Sequence, residues 1–213
     1  MPNIYPSVAS CRLINAAQEI ARLKDWPFLH FDIEDGNFVP NITFGMKFIR
    51  AAREISQAAF DAHLMVTDPM AYIPDLLNLG FQSIAVHRES LQYPLAALHT
   101  IRSAGAKAGL ALNPGTPVEA AMLYLDKVDY ILLMATEADG CGERFQAATL
   151  DKIRAIRTRS DTLSIWVDGD VNESNIGDIV EAGADSVVIG RSIFRAKDAR
   201  LAAEHFAAIG VAP

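Results

Sequence analysis

The sequence predicts a single α/β domain over residues 1–213, a (β/α)₈ TIM barrel. Short apolar runs alternate with longer amphipathic stretches along the whole chain, which is the pattern of repeated β-then-α units. The runs are continuously apolar, as in parallel strands that are buried on both faces. Eight such units in 213 residues fit the compact end of the barrel fold, and no linker or shift in composition divides the chain.

The strands and helices can be placed from the apolar runs and from the turn residues between them. Gly105 and Gly183 each stand where a predicted helix ends and the next strand begins. Thr116 and Pro117 follow a strand as a candidate helix N-cap and first helical residue. The predicted strands are Ile4–Ala9, Phe28–Ile33, Ala59–Met65, Ser83–His87, Ala108–Leu112, Tyr130–Met134, Leu163–Val167 and Ser186–Ile189. The predicted helices lie near residues 13–24, 45–56, 69–79, 91–104, 117–125, 146–159, 173–182 and 198–208.

A doubly wound parallel sheet is the alternative architecture. Its dinucleotide-binding version carries a G-x-G-x-x-G motif after the first strand, and this sequence has none there. We therefore expect the closed barrel.

The composition argues against several classes of protein. A formal net charge of −7 disfavours a nucleic-acid-binding surface, which needs clustered Lys and Arg. No apolar run reaches membrane-spanning length, and the N-terminus has no secretory signal pattern. Cys11 and Cys141 lie far apart in sequence and suit a reducing compartment, without a disulfide framework or a cysteine-based zinc motif. We expect a cytoplasmic globular protein with no nucleic-acid or membrane partner.

Polar side chains fall at the carboxyl ends of several predicted strands, where the active sites of such barrels lie. His30 and Asp32 are two residues apart, so both side chains point to the same side of their strand. Together with His63 and Asp168 they offer two nitrogen and two oxygen donors, a set that suits Zn²⁺, Fe²⁺, Mn²⁺ or Co²⁺. One such histidine alone is more often an ordinary interior residue, but four donors at strand ends favour a metal site. The full set of polar residues at these strand ends is Ser7, His30, Asp32, His63, His87, Asn113 and Asp168.

Several segments of the chain resemble ribulose-phosphate 3-epimerases. They follow the order and spacing of that family over nearly the whole chain, and H-F-D-x-x-D-G-x-F-V-P-N and D-x-H-L-M-V rarely occur together by chance. The segments are Tyr5–Ser10 (YPSVAS), His30–Asn41 (HFDIEDGNFVPN), Asp61–Val66 (DAHLMV), Gly109–Pro117 (GLALNPGTP) and Val167–Gly169 (VDG).

The resemblance implies an isomerase that inverts carbon 3 of a ketose phosphate, interconverting D-ribulose 5-phosphate and D-xylulose 5-phosphate through an enediolate. It carries over acid/base roles to Asp32 and Asp168. It also implies one divalent metal ion (Zn, Fe, Mn or Co), no organic cofactor, a phosphorylated ketose substrate, and self-association into dimers or hexamers. The metal ligands that it implies are His30, Asp32, His63 and Asp168.

The substrate contacts that the resemblance implies are Ser7, His63, Gly142, Gly169, Gly190 and Arg191. Three segments near these contacts depart from the family pattern. Residues 137–143 read EADGCGE, which is more acidic than the glycine-rich family loop that closes over the substrate phosphate. Asp170 replaces a common glycine, and Arg191 replaces a small residue. Arg191 would either form an ion pair with Asp170 or bind a phosphate directly as a bidentate donor.

Glu34 is a further departure, because many family members carry Met at this position. Strict alternation along the strand would turn its carboxylate into the pocket beside Asp32, whereas a side chain beyond the strand end would turn to solvent. Asp35 is predicted to shape the following turn together with Gly36.

Other functions stay open from the sequence. A 3-epimerase of D-allulose 6-phosphate or another hexulose phosphate would use the same chemistry with one more carbon. A barrel decarboxylase or a Schiff-base aldolase is a second alternative, but an aldolase needs a buried Lys near a strand end, and Lys107 precedes its strand. A non-catalytic phosphosugar-binding protein is a third, although it would not need both acid/base aspartates.

Overall fold

The computed structural model describes residues 1–138 and 144–209 of the chain. Within these ranges, parallel strands form one eight-stranded sheet in the order β1-β8-β7-β6-β5-β4-β3-β2. The strands are β1 (Asn3–Pro6), β2 (Phe28–Glu34), β3 (Ala59–Met65), β4 (Ser83–His87), β5 (Lys107–Leu112), β6 (Tyr130–Met134), β7 (Ser164–Asp168) and β8 (Ser186–Ile189).

The sheet closes between its first two strands. Ser7, directly after β1, forms a parallel bridge with His30 of β2, and β1 pairs with β8 along its other edge. Helices lie between successive strands in sequence. A closed parallel sheet of this kind is the predicted (β/α)₈ TIM barrel, so the fold-class prediction is confirmed.

The strand bounds follow the apolar runs closely. β3, β4, β6 and β8 have the bounds that the sequence predicts. The first strand is the main error, because the prediction carries it to Ala9 whereas β1 ends at Pro6. Residues 8–10 form a 3₁₀ turn instead, in which Ser10 donates its backbone N–H to the carbonyl of Ser7. The chain therefore leaves the sheet at Ser7.

Most helices are shorter than the amphipathic stretches that predict them, whereas the last one keeps its predicted length and is shifted by one residue. Between β5 and β6 the chain forms a 3₁₀ helix, Val118–Tyr124, in place of the predicted α-helix. Thr116 does not cap it, because its hydroxyl donates to Glu89, so the N-cap prediction is wrong. No helix in the described ranges is long and apolar enough to cross a membrane. The α-helices are α1 (Ala16–Ala21), α2 (Met46–Ile55), α3 (Ile73–Asn78), α4 (Leu95–Ser103), α5 (Ala148–Arg157), α6 (Ile176–Ala182), α7 (Arg191–Phe194) and α8 (Ala199–Ile209).

Aromatic rings and smaller apolar side chains fill the barrel interior, separately from the larger apolar core between sheet and helices. The ring of Tyr5 packs against Trp166, and Tyr130 stacks on the same indole. A Cβ at Gly109 would collide with the Tyr130 ring, so the absence of a side chain at Gly109 leaves the space that this ring occupies. The Tyr130 hydroxyl then donates to Asp61 at 3.0 Å. The rings fill the interior, and the polar side chains converge at the mouth of the barrel.

Candidate metal centre and active site

The register of the sheet brings His30, Asp32 and His63 to one point of the barrel mouth. In the parallel pair of β2 and β3, Asp32 lies beside His63, and His30 lies beside Asp61. All of these residues are buried. Asp168, the last residue of β7, brings its carboxylate to the same point.

Four donor atoms face one another there, all within 4.8 Å. Nε2 of His30 lies 3.0 Å from Oδ1 of Asp32 and 3.7 Å from Oδ2 of Asp168. Nδ1 of His63 lies 3.3 Å and 3.4 Å from the same two oxygens. A tetrahedral ion with bonds of about 2.0–2.2 Å would separate its donors by roughly 3.4 Å. The donor types and their spacing therefore fit one divalent metal ion, which this group can hold.

Asp61 supports His30 from the side away from the other donors. Its Oδ2 lies 2.5 Å from Nδ1 of His30. This approach lacks the alignment of an ideal hydrogen bond, and neither atom has another partner among the described residues. Oδ1 of Asp61 accepts hydrogen bonds from Ser83 at 2.6 Å and from Tyr130 at 3.0 Å. A carboxylate behind a metal-binding histidine fixes the ring, and here it leaves Nε2 of His30 available to a metal ion.

The charges in this cluster shift the pKa values of its members. Burial disfavours the charged form of His30, but Asp32 and Asp61 outweigh burial and raise its pKa well above the usual value. Burial also opposes ionisation of Asp32, yet His30 and His63 hold its pKa well below the usual range. Burial and the charge of Asp32 raise the pKa of Asp168. The two carboxyl groups thus differ in their tendency to hold a proton, which is what an acid/base pair requires.

A cavity of about 400 Å³ opens at Asp32 and Asp168 of this group. Ser7 lines it and donates a 2.5 Å hydrogen bond from its hydroxyl to Oδ2 of Asp32. His63 is fully buried and does not line the cavity, so its direct contact with a substrate stays a prediction. Gly142 lies outside the described residues. The other predicted substrate contacts, Gly169, Gly190 and Arg191, line the cavity.

Close backbone approach accounts for the two lining glycines. Gly169 has a φ of 116°, and a Cβ there would lie 2.6 Å from the hydroxyl oxygen of Thr136. A Cβ at Gly190 would collide with the side chain of Ser10. Both positions therefore require glycine for packing, whatever ligand the cavity holds.

Glu34 points into the cavity, as strand alternation predicts. Its Oε2 accepts a hydrogen bond from Nδ2 of Asn41 at 2.6 Å. Burial and the neighbouring charge of Asp32 raise the pKa of Glu34 to about 7. The pocket wall thus carries an additional carboxyl group beside the candidate metal centre.

Asp35 organises the turn that follows β2, also as predicted. Its Oδ1 accepts hydrogen bonds from the backbone N–H groups of Asn37 at 2.9 Å and Phe38 at 2.8 Å. Its Oδ2 accepts one from the N–H of Thr67 at 2.7 Å. The carboxylate therefore ties the turn to the end of β3.

Asp170 and Arg191 form an ion pair at the cavity wall. Oδ1 of Asp170 lies 2.7 Å from Nη2 of Arg191. Asp170 has a φ of 49°, in the left-handed region that favours glycine. Asn172 and Asn175 each donate a side-chain N–H to the backbone carbonyl group of Asp170. The ion pair predicted for Arg191 is confirmed, whereas its contact with a phosphate stays a prediction.

Some residues of this region escape prediction from the sequence. Asp61 carries a usable signal, because it precedes His63 by two residues and so shares its inward side. Glu89 stands two residues after His87, but its contacts depend on a loop from another strand. Asn41 reaches Glu34 only because the loop after β2 folds back, which no local pattern shows.

Comparison with known proteins gives the family. The ribulose-phosphate 3 epimerase family matches residues 3–194. The chain belongs to this family. A ribulose-phosphate 3-epimerase of Mycobacterium tuberculosis is 34% identical over 201 residues, which cover 92% of this chain and 88% of that protein. The Aquifex aeolicus ribulose-phosphate 3-epimerase is 39% identical over 174 residues, covering 80% and 78%. These family relatives do not favour the alternative functions.

Solved structures support the fold alone. An orotidine 5'-phosphate decarboxylase from Pyrococcus horikoshii has a TM-score of 0.70 and 17% identity, over 97% of this chain and 98% of that one. A thiamine phosphate pyrophosphorylase from Pyrococcus furiosus has a TM-score of 0.65 and 14% identity, over 98% and 95%. At such identities the likeness to these structures concerns the barrel and not the reaction.

Proposed function

We propose that this chain catalyses the metal-dependent 3-epimerisation of a ketose phosphate, interconverting D-ribulose 5-phosphate and D-xylulose 5-phosphate. The observation that carries the proposal is the pair of carboxyl groups, Asp32 and Asp168, that β2 and β7 bring to one cavity at the metal centre. Membership of the family supports the same reaction. So do the relatives at 34% and 39% identity, which bear the name of that enzyme.

The reaction removes the proton on carbon 3, which the neighbouring carbonyl acidifies only weakly. When bound, a divalent cation would supply positive charge that stabilises the enediolate left by this proton. His30, His63 and the two aspartates would hold that cation. We propose Zn²⁺, Fe²⁺, Mn²⁺ or Co²⁺, since imidazole and carboxylate donors suit these ions, and no organic cofactor.

Asp32 and Asp168 are the proposed acid/base pair. The ionised carboxylate takes the proton from carbon 3, and the electrons of the broken C–H bond pass to the carbonyl group. The protonated carboxyl group then donates its proton to the opposite face of carbon 3, and the carbonyl group re-forms. The roles exchange in the reverse direction. The Ser7 hydroxyl, which donates to Asp32, would orient that carboxylate.

The cavity wall supplies the proposed substrate contacts. Arg191 would bind the phosphate, because a guanidinium group has five N–H donors and its pair with Asp170 engages Nη2. Glu34 would accept a hydrogen bond from a sugar hydroxyl. The remaining assigned contacts are Ser7, His63, Gly142, Gly169 and Gly190.

Four wider expectations belong to the same proposal. Residues 1–213 would form one domain, and the protein would work in the cytoplasm. It would also self-associate, as the family resemblance implies. The net charge of −7 supports the expectation that it has no nucleic-acid partner.

Hydrogen exchange at carbon 3 tests the proposal. In D₂O and with each of the four metal ions supplied, the protein should epimerise D-ribulose 5-phosphate and incorporate deuterium at carbon 3. Asp168→Asn should lower both rates by about 10²–10⁴-fold. Asp151→Asn, at an exposed helix position paired with Arg154, is the matched control and should leave both rates unchanged. Undiminished deuterium incorporation in Asp168→Asn would refute its role, and a protein that binds no divalent ion and stays inactive with one would refute the function.

A further inference from the structure

A chain of polar contacts runs from His63 away from the metal centre. Nε2 of His63 lies 2.8 Å from Nε2 of His87. Nδ1 of His87 lies 3.1 Å from Oε2 of Glu89. Both imidazole rings are completely buried, whereas the Glu89 side chain is 23% exposed. The proton transfers proposed above make no use of His87 or Glu89.

The two imidazole rings meet edge to edge. Their centroids are 4.9 Å apart and their planes differ by 20°. Because the two Nε2 atoms are only 2.8 Å apart, the line joining them runs nearly along the line joining the centroids. The nitrogens of His63 and His87 therefore point at each other within nearly parallel ring planes. Two nitrogens in this arrangement share one hydrogen, so one ring donates and the other accepts.

Glu89 determines which ring donates. Its Oε1 accepts hydrogen bonds from the backbone N–H of Asn113, at 2.8 Å, and from the hydroxyl of Thr116. Oε2 is thereby left facing His87. An ionised carboxylate only accepts, so Nδ1 of His87 must carry the hydrogen, and Nε2 of the neutral ring is the acceptor. Lys152 holds the loop after β5 in place. Its ammonium group donates to the backbone carbonyl groups of Asn113, Pro114 and Thr116.

We propose that His87 and Glu89 are positioning residues that hold His63 as its Nε2–H form, with the Nδ1 lone pair directed at the other three metal donors. For His30, the carboxylate of Asp61 lies directly behind the ring. For His63, the imidazole of His87 lies between the ring and the carboxylate of Glu89. Partners of this kind commonly change metal affinity by about 10–100-fold when they are removed. The inference rests on the proposed function only in taking His63 as a metal ligand.

Nitrogen-15 NMR of the imidazole rings in the Zn²⁺-loaded protein tests the tautomers without any turnover. The chain has 5 histidines, so the ring signals can be assigned by single substitutions. We expect His63 to carry hydrogen on Nε2 alone, and His87 to carry it on Nδ1 alone. A hydrogen on Nε2 of His87 would overturn the proposal.

Competition with a chelator for Zn²⁺ measures the effect on affinity. Glu89→Gln should weaken Zn²⁺ binding about 10-fold or more. Glu173→Gln is the matched control, because it makes the same change beside His205 at an exposed contact of 3.3 Å. Its Zn²⁺ affinity should equal that of the unmodified protein. Equal affinities for Glu89→Gln and the control would overturn the proposal.

Two substitutions of His87 separate hydrogen bonding from packing. His87→Gln keeps a side-chain oxygen that can accept from His63, whereas His87→Leu fills the space without an acceptor. We expect the Leu variant to bind Zn²⁺ at least 10-fold more weakly than the Gln variant. Equal affinity in the two would contradict the role of His87. If the protein has the predicted tautomers but no epimerase activity, only the proposed function is refuted. If the enzyme is active but has the opposite tautomers, only this inference is refuted.

Discussion

Arg191 donates from Nη2 to Oδ1 of Asp170 across 2.7 Å, and both side chains line the cavity that contains Asp32 and Asp168, the proposed acid/base pair. The pair joins the segment that follows β7 to the first residue of α7. The two side chains are 39% and 26% exposed, so their pairing contributes little to folding stability. The ion pair matters for ligand binding instead. Asp170 orients the guanidinium group of Arg191 and so sets the direction of its other N–H donors.

We predict that Arg191→Ala raises the KM for D-ribulose 5-phosphate about 10-fold or more and changes kcat much less. The contact that we propose for Arg191 is to the phosphate, which does not react, so it would contribute to binding in the ground state and the transition state alike. Steady-state kinetics at saturating metal measure the effect. Arg154→Ala, which breaks an exposed ion pair on α5, is the control and should change neither constant. An unchanged KM in Arg191→Ala would show that the phosphate binds elsewhere.

Glu34 should determine which sugar binds. We predict that Glu34→Met lowers kcat/KM about 10-fold for the preferred substrate, because one hydrogen bond to a charged group is lost. Glu34→Gln, which keeps a polar side chain for Asn41, should lose less. A panel of pentulose and hexulose phosphates identifies the substrate that suffers most. An equal change for every sugar in the panel would mean that Glu34 contacts none of their hydroxyl groups.

The fold could be predicted from the sequence because the strands of a parallel barrel are buried on both sides. The resulting continuous apolar runs define strands such as Tyr130–Met134 without reference to the rest of the chain. Where the local signal is mixed, the prediction fails. Val8 and Ala9 are apolar and read as strand, yet they lie in a 3₁₀ turn closed by backbone hydrogen bonds.

The group of four possible metal donors could be predicted for a different reason. Residue spacing on β2 gives the shared side of His30 and Asp32, and the shared rim of parallel strands adds His63 and Asp168. Contacts between loops are not encoded in such spacing. Thr116 has the sequence of a helix cap, but its hydroxyl reaches Glu89 of another β/α unit, which only the folded arrangement shows.

Asp35 should stabilise the fold in a pH-dependent way. Burial acts to raise its pKa, but hydrogen bonds from the N–H groups of Thr67, Phe38 and Asn37 outweigh burial and lower the pKa from 3.8 to about 2. Since the folded pKa lies below the unfolded one, this stabilisation is complete above pH 3.8 and is lost as the pH falls towards 2. The side chain is partly exposed, so we expect only about 1 kcal/mol.

Urea unfolding of Asp35→Asn at a series of pH values measures this contribution. The difference in unfolding free energy from the unmodified protein should be about 1 kcal/mol at pH 6 and should shrink below pH 4. Asp151→Asn, which removes an 83% exposed carboxylate beside Arg154, is the control and should show no such change with pH. A difference that stays constant from pH 6 to pH 3 would contradict the assigned cause.

The close approach between Gly190 and Ser10 gives a prediction that is independent of catalysis. Gly190→Ala should lower the unfolding free energy by about 1–3 kcal/mol, because the added Cβ collides with the side chain of Ser10. Ser10→Gly removes that side chain at an exposed position, so the double variant should recover most of the loss. Urea unfolding of the unmodified protein, the two single variants and the double variant gives the coupling energy between positions 10 and 190. This coupling energy should be favourable by at least 1 kcal/mol. Additive effects of the two substitutions would show that the backbone accommodates the new atom without Ser10.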